Sequence, residues 1–400
     1  MTVEKALQLF NELEEDTFTQ NLIAQASSKN ILLEANEPFD NFPNYTENLD
    51  EKINYIAFSY LSIACTLKEQ QVNNEISNIA FEKSGDIIYQ VHSPRNNKKE
   101  NSNFYLLISS LSFYIASQYS KSFIAIKKAE SNSKFIDIVS TFLKKDINNL
   151  VLKINDIVLN DEFQEEEIIS LDDSMDENFK FYTVILAKVL NLVIEYIYSG
   201  DEQWLNLAQE YTLDLKELSS IDDEPLTWWV SRLLSILLNT YKQYSFWNIL
   251  PTLIPSDKTT LYIQQLAFNN PSIIELFYTQ YEAVNAMRNN NNIVISLPTS
   301  SGKTRIAEIA ILETLVNNPE SKILYLAPFR SLSFEVEESM DKIFSPLGFS
   351  TTFLYGGAQY SKIDKTLIEH SNIIIATPEK AKAIIRADES IADQIKLLVI

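Results

Sequence analysis

"SLPTSSGKTRIAE", Ser296 to Glu308, decides how the second half of this 400-residue chain is read. It follows a short apolar run, "NIVIS", and leads into "RIAEIAILETLV", whose apolar residues recur at helical spacing. A loop ending in Gly-Lys-Thr between a strand and a helix is the setting in which backbone N–H groups cradle a polyphosphate. Gly302 lets the backbone approach closely, Lys303 reaches the terminal phosphates as a point charge, and Thr304 places its hydroxyl on Mg²⁺. The expected nucleotide grip is Leu297, Pro298, Thr299, Ser300, Ser301, Gly302, Lys303, Thr304 and Arg305, with Lys303 and Thr304 carrying the chemistry and Thr304 the metal. Leu297 stands where the pattern usually begins with glycine, a position that mainly governs entry to the loop. A bare helix N-cap with an incidental lysine is the alternative, and the flanking strand and helix disfavour it.

Outward from the loop, the chain alternates strand and helix signals. "KILYLAPFR" reads as a strand, "SLSFEVEESMDKIF" as a helix, and "STTFLYGG" as a strand. "KTLIEHSNIIIATPEKAKAIIR" reads as helix, strand and helix, and "KLLVI" as a last strand. Such alternation predicts a parallel sheet covered on both faces. Arg330, the pair Gly356–Gly357, and Thr377, Pro378 and Lys380 all follow strands. They are therefore expected at the carboxyl ends of the strands, where open α/β sheets bind ligands. Arg330 and Lys380 can pair with phosphates, and glycines let a nucleic-acid backbone come close. Gln280, in "FYTQYEAVNAM", precedes the loop lysine by 23 positions.

Taken in order, Gln280, "PTSSGKT", "APFRSLS", the paired glycines and "TPEK" resemble motifs Q, I, Ia, Ib and Ic of superfamily 2 DExD/H-box helicases. The Thr-Ser-Ser form of the loop is most similar to the Ski-like branch. The resemblance covers about residues 271–400. It implies a RecA-like ATP-binding domain, ATP and Mg²⁺ as cofactors, and DNA or RNA as partner. It implies an adenine contact for Gln280 and nucleic-acid contacts for Arg330, Gly356, Gly357, Thr377, Pro378 and Lys380. It further implies Asp-Glu-x-His or Asp-Glu-x-Asp directly after "KLLVI". The sequence ends at Ile400, so the expectation is the amino-terminal part of a longer helicase that binds nucleotide without hydrolysing it by itself.

The first 270 residues differ in kind. Of six glycines only Gly85 and Gly200 lie there, and no proline falls between Pro94 and Pro225. Few breakers and apolar residues at three- and four-residue spacing predict an α-helical domain. In "NFYLLISSLSFYIASQYSKSFIAIKKAE", Phe104, Leu107, Ile108, Leu111 and Ile115 share a face. A break near Ser117–Ser120 starts a second helix carrying Phe123, Ile126 and Ala129, which makes one helical hairpin without a proven repeat. Trp228, Trp229, Leu233 and Leu237 read as core, and "NILPTLIPSDK" as a linker near 250–258. The expected division is a helical domain at 1–159, an acidic loop at 160–178, a helical subdomain and linker at 179–258, and the truncated RecA-like domain at 259–400.

Charge follows the same division. The formal net charge is −21, from 33 Lys+Arg and 54 Asp+Glu. Residues 271–400 hold 12 basic and 15 acidic side chains, leaving 21 against 39 before them. Non-specific phosphate binding relies on clustered Lys and Arg, so the acidic helical part is expected to meet a protein partner or simply to carry a solvated surface. Two histidines and one cysteine form no zinc constellation. The lone Cys65 excludes an intramolecular disulfide and fits a reducing, cytoplasmic setting. The apolar runs are broken by charge, as in "VILAKVLNLVIEYIY" with Lys188 and Glu195, so no membrane span is expected.

The leading expectation is an ATP-driven helicase or translocase whose helical domain recruits a partner. "EPLTWWVSRLL" and "SFWNILP" are also similar to accessory domains of large bacterial helicases, some in antiviral defence. A different class, an acidic interaction scaffold with a regulatory or inactive loop, is the alternative. A P-loop kinase would use the Gly-Lys-Thr loop but gives Gln280 and "TPEK" no role.

Overall fold

The computed structural model describes residues 1–94, 101–129, 133–159, 177–288, 292–297, 302–354 and 359–400. The chain divides into two compact units, Met1–Gln243 with Asn270–Ile273, and Tyr244–Asn269 with Ile274–Ile400.

The first unit is helical. Its helices are α1 (Val3–Glu15), α2 (Thr17–Glu34), α3 (Leu49–Glu69), α4 (Asn74–His92), α5 (Ser102–Ile115), α6 (Tyr119–Lys128), α7 (Lys134–Leu143), α8 (Ile147–Leu159), α9 (Glu177–Ser199), α10 (Glu202–Ile221) and α11 (Pro225–Tyr244). Neighbours in sequence pack as neighbours in space: α3 on α4, α4 on α5, α5 on α6, and α9 on α10. Ile53, Ile56, Ala57, Tyr60, Leu61 and Ala64 of α3 are all buried, the stripe that helical periodicity predicts. Each fully buried aliphatic side chain of this kind contributes roughly 1.5–3 kcal/mol. The α5–α6 hairpin forms with its break at Ser117, which takes φ +62°. Ile126 is buried there, whereas Phe123 is exposed rather than core.

Cys65 is fully buried, and burial pushes its thiol up to about 12, so it is an inert packing group. α9 contains one stretch, Lys180–Ser199, long and apolar enough to cross a membrane, but most of it is buried within this unit as a core helix would be. Lys188 and Glu195 lie on its exposed side. Leu233 and Leu237 are core, as expected. Trp228 and Trp229 are only half-buried. They make a surface cap over which the Arg232 guanidinium sits, 5.4 and 5.6 Å from the two rings. Arg232 in turn forms two 2.8 Å bonds to the Glu69 carboxylate.

Gly85 lies at a close approach of α4 and α5. A Cβ built there meets Phe113 Cε1 at 2.9 Å, and Ser109 Oγ donates to the Gly85 carbonyl at 2.8 Å. Gly85→Val is expected to lower stability by about 1–3 kcal/mol through overpacking. Chemical unfolding would show this as a lower midpoint, and an unchanged midpoint would contradict the packing reading.

The second unit begins with two helices, α12 (Phe246–Leu253) and α13 (Asp257–Ala267). Residues 250–258 are thus largely helical rather than a linker. Pro251 sits inside α12, where it removes one intrahelical donor, and the burial of Phe246, Ile249 and Leu250 holds the short helix in place. Ser245 and Ser256 cap the two helices, accepting from the N–H groups of Trp247 and Lys258 at 3.2 Å. α14 (Tyr278–Met287) and α15 (Lys303–Asn317) follow.

From there strand and helix alternate: β1 (Lys322–Leu326), α16 (Arg330–Phe344), β2 (Thr351–Phe353), α17 (Lys362–His370), β3 (Ile373–Ala376), α18 (Pro378–Ala387), α19 (Glu389–Gln394) and β4 (Ile395–Val399). The four strands form a parallel sheet in the order β2-β3-β1-β4. Leu324, Ile374 and Ala376 share one face and pack with Ile368 of α17, Ala381 and Ile384 of α18, and Ile391 of α19. Ile323, Ile373 and Ile375 alternate to the other face, where α16 lies against β2 and β3 and α15 against β4. The fold is a helical N-terminal part followed by a RecA-like α/β layer.

One expected strand is not formed. Residues 292–297 alternate between exposed and half-buried positions, with Val294 99% exposed, yet join no ladder. A strand exists through its hydrogen-bonded neighbours. Among the described residues, the outer edge of β4 has none.

Candidate nucleotide and nucleic-acid site

Register places the functional segments at one edge of the sheet. Leu326 pairs with Ala376, and the Ala327 N–H donates to the Ala376 carbonyl at 3.0 Å. β1 and β3 therefore end side by side, and the helices that follow them start there, α16 at Arg330 and α18 at Pro378. α15 returns to β1 through the short turn at Asn318–Ser321, so its N-terminus lies toward the same carboxyl edge. Helix N-termini gathered at one edge present the positive ends of their dipoles there.

Gly302 is the N-cap of α15 and takes φ +72°, a left-handed conformation open to glycine. A Cβ at this position would meet Gln280 Nε2 at 2.1 Å. Gln280 is 5% exposed. Its Oε1 accepts from the Phe277 N–H at 2.9 Å, and its Nε2 donates to the Gly302 carbonyl at 3.1 Å. The side chain expected to meet adenine is thus a strut between the start of α14 and the glycine of the loop. Gly302→Ala combines backbone strain with this collision. It is expected to weaken nucleotide affinity at least tenfold while costing about 1–3 kcal/mol of stability. Isothermal titration with Mg-ADP checks the first effect, and unaltered affinity would show that the loop tolerates the methyl.

Lys303 and Thr304 are exposed on the first turn of α15. Lys303 Nζ donates to the Leu297 carbonyl at 2.9 Å, a neutral acceptor that an incoming phosphate can replace. Arg305 faces the other way. Its guanidinium pairs with Glu308 in a close ion pair and donates to the Tyr262 hydroxyl at 3.2 Å, so it is built into the interior rather than offered to a ligand. Burial pushes the Glu308 carboxyl above its ordinary value, against the opposing pull of Arg305 and Tyr262. Pro298, Thr299, Ser300 and Ser301 lie outside the described residues.

A polyphosphate fits this donor set. A left-handed glycine, a 15-residue helix N-terminus, an exposed ammonium and an exposed hydroxyl meet in three consecutive residues. For Mg²⁺ the protein offers the Thr304 hydroxyl. The described residues hold no cluster of three acidic, histidine or cysteine side chains.

On the nucleic-acid side, Gly356, Gly357 and the Arg330 side chain lie outside what the structure describes. Thr377 caps α18, its hydroxyl accepting from the Lys380 N–H at 3.4 Å, and Pro378 is exposed at the first helical position. Lys380 departs from the expectation of a phosphate-facing ammonium. It is 3% exposed, and its Nζ donates to Asp364 Oδ2 and to the Gln359 carbonyl, each at 2.8 Å. Asp364 also accepts from the Ser361 N–H and hydroxyl at 2.7 Å, capping α17. Reading the sequence alone missed Tyr262, Glu308 and Asp364. Glu308 and Arg305 carried a weak signal in their i, i+3 spacing, but Tyr262 and Asp364 meet their partners across 43 and 16 positions, which no local pattern marks.

Residues 278–400 match the DEAD/DEAH box helicase family. The chain is 36% identical over 403 residues to Hachiman protein HamB of Bacillus cereus, a match that takes in 100% of this chain and 35% of that protein. It is 35% identical over 121 residues to the DExH-box ATP-dependent RNA helicase DExH14 of Arabidopsis thaliana, covering 28% of this chain and 6% of that one. With the U5 small nuclear ribonucleoprotein 200 kDa helicase of Caenorhabditis elegans it shares 32% identity over 111 residues, 28% of this chain and 5% of that protein. The chain therefore spans about a third of the first relative and much less of the others. The loop, the strand-end segments and these matches together identify residues 278–400 as a segment of the superfamily 2 DEAD/DEAH-box helicase type.

Proposed function

We propose that the chain supplies the ATP grip and part of the nucleic-acid track of an ATP-driven helicase or translocase. The observation that carries this reading is the Gly302–Lys303–Thr304 turn, at the same sheet edge as the starts of α16 and α18. Lys303 and Thr304 bind the phosphates and Mg²⁺, and the segments from Arg330, Gly356–Gly357 and Thr377–Pro378 meet a DNA or RNA backbone. When bound, Mg-ATP supplies a phosphoanhydride whose charge the helix N-terminus and Lys303 neutralise. The chain's own residues orient that group and hold its charge. The match to HamB runs through the helical unit as well as the motor segment. That supports a specialised role for the acidic helices, which we assign to recruiting a protein partner in a defence-type assembly.

The test is nucleic-acid-stimulated ATPase in the intact protein. Stimulation by single-stranded DNA or RNA is expected, and its absence with every strand type would sink the motor reading. Arg330→Ala should weaken nucleic-acid binding and make its salt slope shallower by about one. A loss of ATP affinity instead would remove Arg330 from the strand-contacting set.

A further inference from the structure

α13 lies outside the family-matched segment, yet it reaches the nucleotide helix with a buried polar group. Tyr262, 0% exposed, donates its hydroxyl to Glu308 Oε2 at 3.1 Å and receives Arg305 Nη1 at 3.2 Å. The Arg305 and Glu308 side chains are 14% and 3% exposed, so the three groups form an interior network. A buried carboxylate is costly unless charge and hydrogen bonds surround it, and here Arg305 and Tyr262 supply both. The same helix is anchored elsewhere in the unit. Gln265 Nε2 donates to the Lys342 carbonyl at 2.7 Å, and Lys258 Nζ donates to the Leu347 carbonyl and lies 4.3 Å from the Phe349 ring centroid. α13 is thus held independently of α15, a fixed point from which one can be set against the other.

Arg305 follows Lys303 and Thr304 directly. At 3.6 residues per turn, any rotation of α15 that the network permits is carried straight into the two phosphate-gripping side chains. Gln280 fixes the glycine of the loop from α14, and the Tyr262 network fixes the helix behind it from α13. We propose that Tyr262 is a positioning residue for nucleotide binding, acting through Arg305 and Glu308 to set the first turn of α15. This rests on the nucleotide reading of the Gly302–Thr304 turn. It extends the functional unit upstream of the family match, to a residue that touches no ligand.

The test uses Tyr262→Phe in the intact protein, which keeps the ring and deletes the hydroxyl. Mg-ADP affinity is measured by titration, KM and kcat for ATP by steady-state turnover, and stability by the thermal midpoint without nucleotide. The expected result is Mg-ADP affinity and KM worsened about tenfold to a hundredfold, because small misplacements of binding groups have effects of that size. The kcat at saturation should fall much less. Tyr262→Phe combined with Arg305→Met and Glu308→Leu replaces the whole buried network by apolar groups and should recover the thermal midpoint but not the affinity. A merely structural role predicts a lower midpoint with unchanged ADP affinity in the folded protein, and that result overturns the proposal. Should Tyr262→Phe not fold, the triple variant decides by the same affinity measurement. Failure of the unsubstituted protein to bind Mg-ADP would instead overturn the nucleotide reading itself, and with it this inference.

Discussion

Lys303→Ala is expected to reduce ATP turnover of the intact protein by roughly 100-fold or more, the size of effect seen when one positioned electrostatic group is removed from a transition state. The ammonium is exposed, and its observed partner is the Leu297 carbonyl of its own loop. Removing it from the ligand-free protein leaves a carbonyl that water can reach, so the thermal midpoint should hardly change. With Mg-ADP present the two proteins should diverge. Ligand that binds only the folded form raises stability by an amount set by its concentration relative to Kd, and that rise should vanish in the variant. Turnover within twofold of the unsubstituted protein would show that Lys303 is not the phosphate group's counter-charge.

The layout of the second unit was largely legible. Alternating apolar strands and amphipathic helices after Lys322 led to a parallel sheet, because burial on both faces demands apolar strands and short connections. The Gly302–Thr304 turn was legible as a loop-to-helix start because a left-handed N-cap favours glycine and Lys303 and Thr304 follow it into the helix. Three features were not. Proline at 251 suggested a break, but burial of Phe246, Ile249 and Leu250 outweighs one lost hydrogen bond. Residues 292–297 have strand-like alternation without a ladder partner, which only tertiary structure reveals. Most consequentially, charge in a sequence carries no direction. Arg305 and Lys380 read as phosphate ligands, and both turn inward to carboxylates that lie on the same helix in one case and on another helix in the other.

Lys380→Ala carries the largest expected stability effect. The Lys380 and Asp364 side chains are 3% and 6% exposed, and truncating one partner leaves the other as an uncompensated buried charge. Such changes cost about 3–5 kcal/mol. Burial alone would raise the Asp364 carboxyl, but hydrogen bonds from Lys380 and Ser361 outweigh it and hold the group below its ordinary value of 3.8. Its contribution is therefore complete above that value and is lost as pH falls through the lower, folded-state value. The Lys380→Ala variant should lose this acid-side dependence along with its stability. Replacing both members, Lys380→Met with Asp364→Leu, should recover part of the loss, but not all, because Ser361 and the Gln359 carbonyl also lose a partner. Nucleic-acid binding separates the two roles open to Lys380. A phosphate contact contributes about 0.9 to the salt slope on duplex DNA. An interior ion pair contributes nothing to that slope, so Lys380→Ala, assayed while folded, should retain the slope. A slope shallower by about one would place the ammonium on a phosphate, and would mean that the Lys380–Asp364 pair opens when nucleic acid binds.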